Sequence, residues 1–274
     1  MKVLFAHLLI SIISFFSFQN TILAKDLPYK RVVSIDYCAD QYVLKFIDKQ
    51  NIAAISYDAD KDFSYMRDHA IGIKKIRANT EEILSASPDI VIKTYAGSRN
   101  LKKILDSLNI KLLTLPNPVN LKEIKEVLNI MREISAHDKK INDVLKNIQS
   151  YIEGFKKNNK NISAIYLSPA GMTAGAGTLI DNLFKVSGLI NYQTKTGWTS
   201  LPLEKIINKK PNVIVYSSFK SLENHPDAWN PLRHPVIKTQ LKSVPTINLK
   251  PSVTSCGGWF FLEALNILKM IGNV

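Results

Sequence analysis

Two short segments hold the only cysteines of the chain. "DYCADQYVLKF" (36–46) carries Cys38, and "TSCGGWFFLEAL" (254–265) carries Cys256. A thiol can serve as a nucleophile, a metal ligand or half of a disulfide, and its neighbours decide which. Neither cysteine lies in a CxxC or Cys/His spacing, so a structural zinc site is not indicated. Each follows a short apolar run and precedes a helical pattern, which places both at strand-to-helix turns. Three outcomes stay open: a Cys38–Cys256 bridge, which needs Cα atoms within about 7 Å; two free thiols; or contact with a metal carried by a ligand. Gly257 and Gly258 would let a helix N-terminus, with its free N–H groups, approach a bound group closely. A tight turn has the same requirement for glycine.

Other reactive arrangements are missing from the sequence. His69, His137, His225 and His234 form no HExxH-type pair. "GMTAGAGTLIDNL" (171–183) looks like a phosphate loop but lacks the lysine and the spacing of one. There is no GxSxG elbow. These observations predict no catalytic residues, no metal site and no cofactor, and hence a protein that is not an enzyme.

The elements that position these residues follow from periodicity. "RVVSI", "NIAAIS", "PDIVIKT" and "IKLLTLP" read as buried strands. "ADQYVLKFI", "NTEEILSAS" and "NLKKILDSLN" read as helices between them. Such alternation predicts βαβ units and parallel sheets. Two helices follow, "NLKEIKEVLNIMREI" and a second over 138–157 with Ile141, Val144, Leu145, Ile148, Tyr151, Ile152 and Phe155 at helical spacing. After the polar "KKNNKN" the alternation restarts with "SAIYLS", "TLIDNLFKVSG", "LEKIINKK", "PNVIVYS", "PVIKTQLKS", "PTINLK" and a final helix from "GGWFFLEALNILKMI". The expected fold is α/β: two Rossmann-like lobes with mainly parallel sheets, joined by one long rigid helix. The boundaries fall at 25–136, 137–159 and 160–274, after a leader at 1–24.

Composition narrows the class. With 46% hydrophobic and 22% charged residues the chain is globular rather than disordered. The net charge is +13, yet the lysines are dispersed among acidic residues, which argues against nucleic acid. Lys2, the apolar "VLFAHLLISIISFFSF" and the small residue Ala24 have the order of a cleavable secretory signal. That run is shorter than the roughly 20 residues that span a bilayer. No cysteine stands at the cleavage site for a lipid anchor. The expectation is a periplasmic, non-spanning monomer in an oxidising compartment.

In open α/β sheets, ligands bind beyond the C-terminal ends of the strands. In the first lobe those ends carry Tyr37, Cys38, Tyr57 and Tyr95. In the second they carry Pro169 to Gly171, Ser218, Phe219 and Ser252 to Cys256, with Trp198 and Trp229 in nearby loops. A cleft rich in aromatics and amides suits a bulky, partly apolar ligand better than acid–base chemistry.

Several blocks together resemble the periplasmic substrate-binding proteins of cobalamin and ferric-siderophore ABC importers. They are "RVVSIDYCADQYVLKFIDKQNIAAISY", "TEEILSASPDIVI", "TAGAGTLIDNLFKVSGLIN", "PLEKIINKKPNVIVYS" and "CGGWFFLEAL". The resemblance runs from about residue 30 to the end. It implies a metal chelate held between two lobes and delivered to an inner-membrane permease and its ATPase. Glu81 and Glu204 match the surface glutamates that dock on the permease, and Trp198 and Tyr57 match ligand-contacting aromatics. Trp259 is a further candidate. The resemblance does not carry over a disulfide, because the family's bridge lies within the second lobe. The aromatic residue before the Glu81 helix is replaced by "KKIRAN". The ligand stays open between corrinoid, iron chelate and haem. The rival reading is a secreted thiol enzyme using Cys38 or Cys256.

Overall fold

The computed structural model describes residues 29–154, 161–168, 171–217 and 242–272, together with the helical backbone at 235 and 239. The expected leader, Pro169, Ser218, Phe219, Trp229 and most of the "PVIKTQLKS" helix lie outside these residues.

The first sheet holds β1 (Val32–Ser34), β2 (Ile52–Ser56), β3 (Lys75–Ile76), β4 (Ile90–Lys93) and β5 (Lys111–Thr114). Its order is β3-β2-β1-β4-β5, and every neighbouring pair is parallel. β1 is buried along its length, as expected for a central strand covered on both faces. The chain winds outward from β1 to β3, then crosses back to β4, so the order reverses between β1 and β4. That reversal is where such sheets leave a crevice.

Helix α1 (Tyr37–Phe46) begins because Asp36, in extended conformation, accepts the Ala39 N–H at 2.9 Å. α2 (Thr80–Ser85) and α4 (Leu121–Ile134) use one device: Asn79 and Asn120 cap the N–H of Glu82 and Glu123, whose carboxylates accept N–H bonds from Arg77 and Val119. α4 buries Leu121, Ile124, Val127, Leu128, Met131 and Ile134 on one helical face. α3 (Leu101–Ser107) anchors with Leu101 and Leu105. α5 (Asp138–Glu153) runs between the two sheets in chain order, with Ile141 and Ile148 buried.

The second sheet, order β11-β10-β6-β8, is also parallel. It is built from β6 (Ser163–Leu167), β8 (Ile190–Asn191), β10 (Val213–Tyr216) and β11 (Thr246–Asn248), with α6 (Leu179–Val186) and α7 (Leu203–Asn208) between strands. A two-stranded antiparallel ribbon, β7 (Met172–Ala174) with β9 (Trp198–Ser200), was not expected from the sequence. Its glycine-rich "GMTAGAG" read as a loop, but Gly175 is there for packing. A Cβ at that position would sit 1.8 Å from the Lys195 carbonyl oxygen. The chain then forms α8 (Pro251–Thr254) and α9 (Phe261–Gly272), so the last helix starts later than the glycine pair suggested.

The structure settles the cysteines. Cys38 and Cys256 form a disulfide with Cα atoms 5.5 Å apart, joining the start of α1 to the turn before α9. Both are buried, and neither is free. The expectation that they meet the ligand as thiols is therefore corrected, and the thiol-enzyme reading loses its nucleophile. Gly257 has a packing role. It packs against the loop before α4, where a Cβ would lie 1.8 Å from the Pro118 carbonyl oxygen, and its own carbonyl accepts the Tyr42 hydroxyl at 3.1 Å. Trp259 turns toward the first lobe. Its ring meets Tyr42, Phe46, Tyr65 and Phe260 edge-on, with centroids 5.3–6.2 Å apart. Phe260 stacks on Tyr65 at 4.5 Å. Edge-to-face pairs contribute about 0.5–1.5 kcal/mol beyond burial. One buried apolar cluster thus runs through both lobes, from Phe46 to Phe184 and Leu265.

Candidate ligand-binding site

At the cleft edge of the first sheet, the fixed point is the Asp36 carboxylate. One oxygen caps α1. The other accepts the backbone N–H groups of Thr94, Tyr95 and Ala96 at 2.6, 3.0 and 3.2 Å. A single buried carboxylate therefore ties the turn after β1 to the turn after β4, on either side of the topological reversal. The two residues presented there are Tyr37 and Tyr95, with ring centroids 5.8 Å apart and edge-to-face. Phe63 supports Tyr37 from the other side at 4.8 Å.

Both phenols hold their protons more tightly than usual. Burial is the main cause for each, and the Asp36 and Asp58 charges add to it. Interaction between the two hydroxyls raises Tyr95 further and partly offsets the rise of Tyr37. Beneath them Asp40 is fully buried. Burial drives its carboxyl up to about 7, against hydrogen bonds from the Ser56 hydroxyl and N–H that favour its ionised form. Tyr57, at the end of β2, is half exposed, with Lys61 Nζ and Arg77 Cζ 5.1 and 5.2 Å from its ring centroid.

The second lobe contributes fewer groups. Trp198 is 51% exposed on β9, opposite Ala174, and meets buried Tyr166 edge-on at 5.8 Å. Tyr166 lies near the end of β6, and its hydroxyl interacts with Thr254 and Ser217. Behind the ribbon, Thr178 caps α6 while Asp181 accepts from the Gly177 N–H and Asn191 and pairs with Lys185. Burial opposes ionisation of Asp181, but Lys185, Asn191 and the Gly177 N–H outweigh it and hold the carboxyl below its ordinary range. Gly171 is buried in the turn before β7. A groove of about 730 Å³ runs beside the ribbon, lined by Gln193, Lys195, Thr199, Ser200, Leu203 and Glu204. Glu81 and Glu204 are exposed in the first turns of α2 and α7.

Of the residues expected at the cleft, Tyr37, Tyr57 and Tyr95 share the edge of one sheet, and Trp198 stands on the ribbon of the other lobe. Cys38, Cys256, Gly257 and Trp259 form the joint between lobes instead. Sequence reasoning missed Asp36 and Tyr166. An Asp immediately after a buried strand and before a helix was the available signal for the first. Tyr166 sits inside an apolar strand and gave none. Among the described residues no three His, Cys, Asp or Glu side chains gather into a metal-holding group.

Two α/β lobes, one with Tyr57 and Tyr95 exposed beyond its sheet and the other with Trp198 exposed on its ribbon, have the architecture of a binding protein. The chain belongs to the periplasmic binding protein family, whose pattern matches residues 32–235. It is 23% identical over 171 residues to the uncharacterized ABC transporter substrate-binding lipoprotein YvrC of Bacillus subtilis (strain 168), an alignment covering 57% of this chain. The chain spans about half (54%) of the length of that curated relative. Its fold is similar to the periplasmic haem-binding protein HutB of Vibrio cholerae, with TM-score 0.69, 17% identity, and 88% and 98% of the two chains covered. It is also similar to the periplasmic vitamin B12-binding protein BtuF of Vibrio cholerae, with TM-score 0.66, 17% identity, and 90% and 97% covered. The family and these neighbours are binding proteins rather than enzymes.

Proposed function

We propose that the protein is the periplasmic receptor of an ABC importer and captures a metal chelate between its lobes. The observation that carries this reading is three large aromatics left about half exposed at the cleft edges: Tyr57, Tyr95 and Trp198. Residues after β2, β1 and β4 span two inter-strand gaps, about 10 Å, comparable to the width of a tetrapyrrole ring. Aromatic faces and edges suit such a ligand. Cobalamin or another corrinoid, or a ferric siderophore, is the cargo first inferred from the sequence. Haem fits equally well. Glu81 and Glu204, one on each lobe, are the proposed docking points for the permease. No helix among the described residues is long and apolar enough to cross a membrane.

The test is quenching of intrinsic tryptophan fluorescence in the mature protein, titrated with cyanocobalamin, haemin and a ferric siderophore. One ligand should quench saturably, and Trp198→Ala should abolish that signal. Absence of quenching by all three, with isothermal calorimetry also silent, overturns the chelate reading. Charge reversal at both Glu81 and Glu204 should stop uptake in cells and leave the dissociation constant unchanged. Weaker binding by that double variant would refute a docking role.

A further inference from the structure

We propose that Asp36 is the positioning residue of the site, holding Tyr37 and Tyr95 as a hydrogen-bond-donating pair that recognises an acceptor oxygen on the ligand. The proposal rests on the ligand-binding reading above and goes beyond it by naming what orients the phenols and which ligand atom they meet. The geometry is specific. Asp36 is 3% exposed, so its carboxylate is spent on internal partners, not on solvent. Those partners are the N–H groups of Ala39, Thr94, Tyr95 and Ala96, two turns that are far apart in sequence and adjacent across the β1/β4 reversal.

Tyr37 follows Asp36 directly, and Tyr95 is the middle of the three residues gripped by its second oxygen. Those bonds fix the backbone from which the two rings project, and their edge-to-face contact, with Phe63 against Tyr37, holds the rings in place. The same negative charge opposes loss of either phenolic proton. Each phenol carries one O–H, so if the pair shares one proton internally the other is left for the ligand. A carboxylate, amide or other acceptor oxygen on the chelate is the chemistry that fits it.

Asp36→Asn tests this with little change of shape. The side-chain oxygen can still cap α1, but the amide NH₂ now faces three N–H donors and cannot accept from them. The measurement is tryptophan quenching with haemin and cyanocobalamin for the wild type, Asp36→Asn, Tyr95→Phe and the double variant. It is paired with the ¹⁵N amide spectrum of the ligand-free proteins. For whichever probe binds, each single variant should weaken affinity on the order of tenfold, and the double variant should be no weaker than Asp36→Asn alone. The Thr94, Tyr95 and Ala96 amide signals should move upfield in Asp36→Asn. Independent, multiplying losses overturn the proposal, as does an Asp36→Asn protein with unchanged affinity. Unmoved amide signals overturn it without any ligand. If the wild type binds neither probe while those amides shift as expected, the positioning role stands and the choice of chelate fails.

Discussion

The two cleft edges are built in different ways. The first lobe fixes its edge with a side chain, as the Asp36 carboxylate gathers four N–H groups from two turns. The second lobe fixes its edge with backbone. Gly175, Ala176 and Gly197 bond across the ribbon to Gly197, Lys195 and Ala176 at 2.8–3.0 Å, and the bare Cα of Gly175 allows the strands to touch. The first arrangement concentrates order in one removable group and places several phenols at once. The second spreads order along a ladder and presents a single Trp198. A ligand held between them would meet one preset face and one simple one.

Substitutions can break this contrast, and the largest effect should come from Asp36→Ala. It strands four N–H groups, some of which water will reach, so a loss of about 4 kcal/mol in urea unfolding is expected. Gly175→Ala attacks the other edge and should cost about 2–3 kcal/mol, since its Cβ overlaps a carbonyl that is itself hydrogen-bonded. If the two losses are equal, the first edge is no more concentrated than the second. Thr178→Ala removes the cap of α6 and the hydroxyl bond to the Gly175 carbonyl, and should cost about 1–2 kcal/mol.

A pH series sharpens the picture of the first edge. Asp40 has a folded value near 7, above the ordinary 3.8, because burial disfavours its charge. The folded state therefore binds this proton more tightly than the unfolded chain. The resulting stability is fully present below about pH 4 and is lost as pH rises through about 7. Urea midpoints measured at intervals from pH 4.5 to 7.5 should fall with rising pH. Asp40→Asn, which keeps an acceptor for the Ser56 N–H, should flatten that slope.

These edges were legible to different degrees. β1, β2, β4, β6 and β10 announce themselves as mainly apolar runs, because a strand buried on both faces must be apolar along most of its length. Once the order of strands and helices is known, topology alone puts Tyr37, Tyr57 and Tyr95 on the cleft side. The ribbon gave no such signal: Met172–Ala174 is three residues long and flanked by glycine. The Cys38–Cys256 bond and the seat of Trp259 were equally hidden. Both depend on how the lobes pack, a contact between segments more than 200 residues apart that no local pattern encodes. Two glycines after a cysteine invite a ligand, but here Gly257 makes room for Pro118 and Gly258 for the Phe260 ring.

The 218-residue span of that bridge also turns most of the folded chain into a single covalent ring. A protease that nicks any loop between residues 38 and 256 leaves both pieces tethered, so the cut protein keeps its full mass until it is reduced. The ring also dictates when maturation can finish. Its two cysteines lie 218 residues apart, so the clasp cannot close until that whole span has been made.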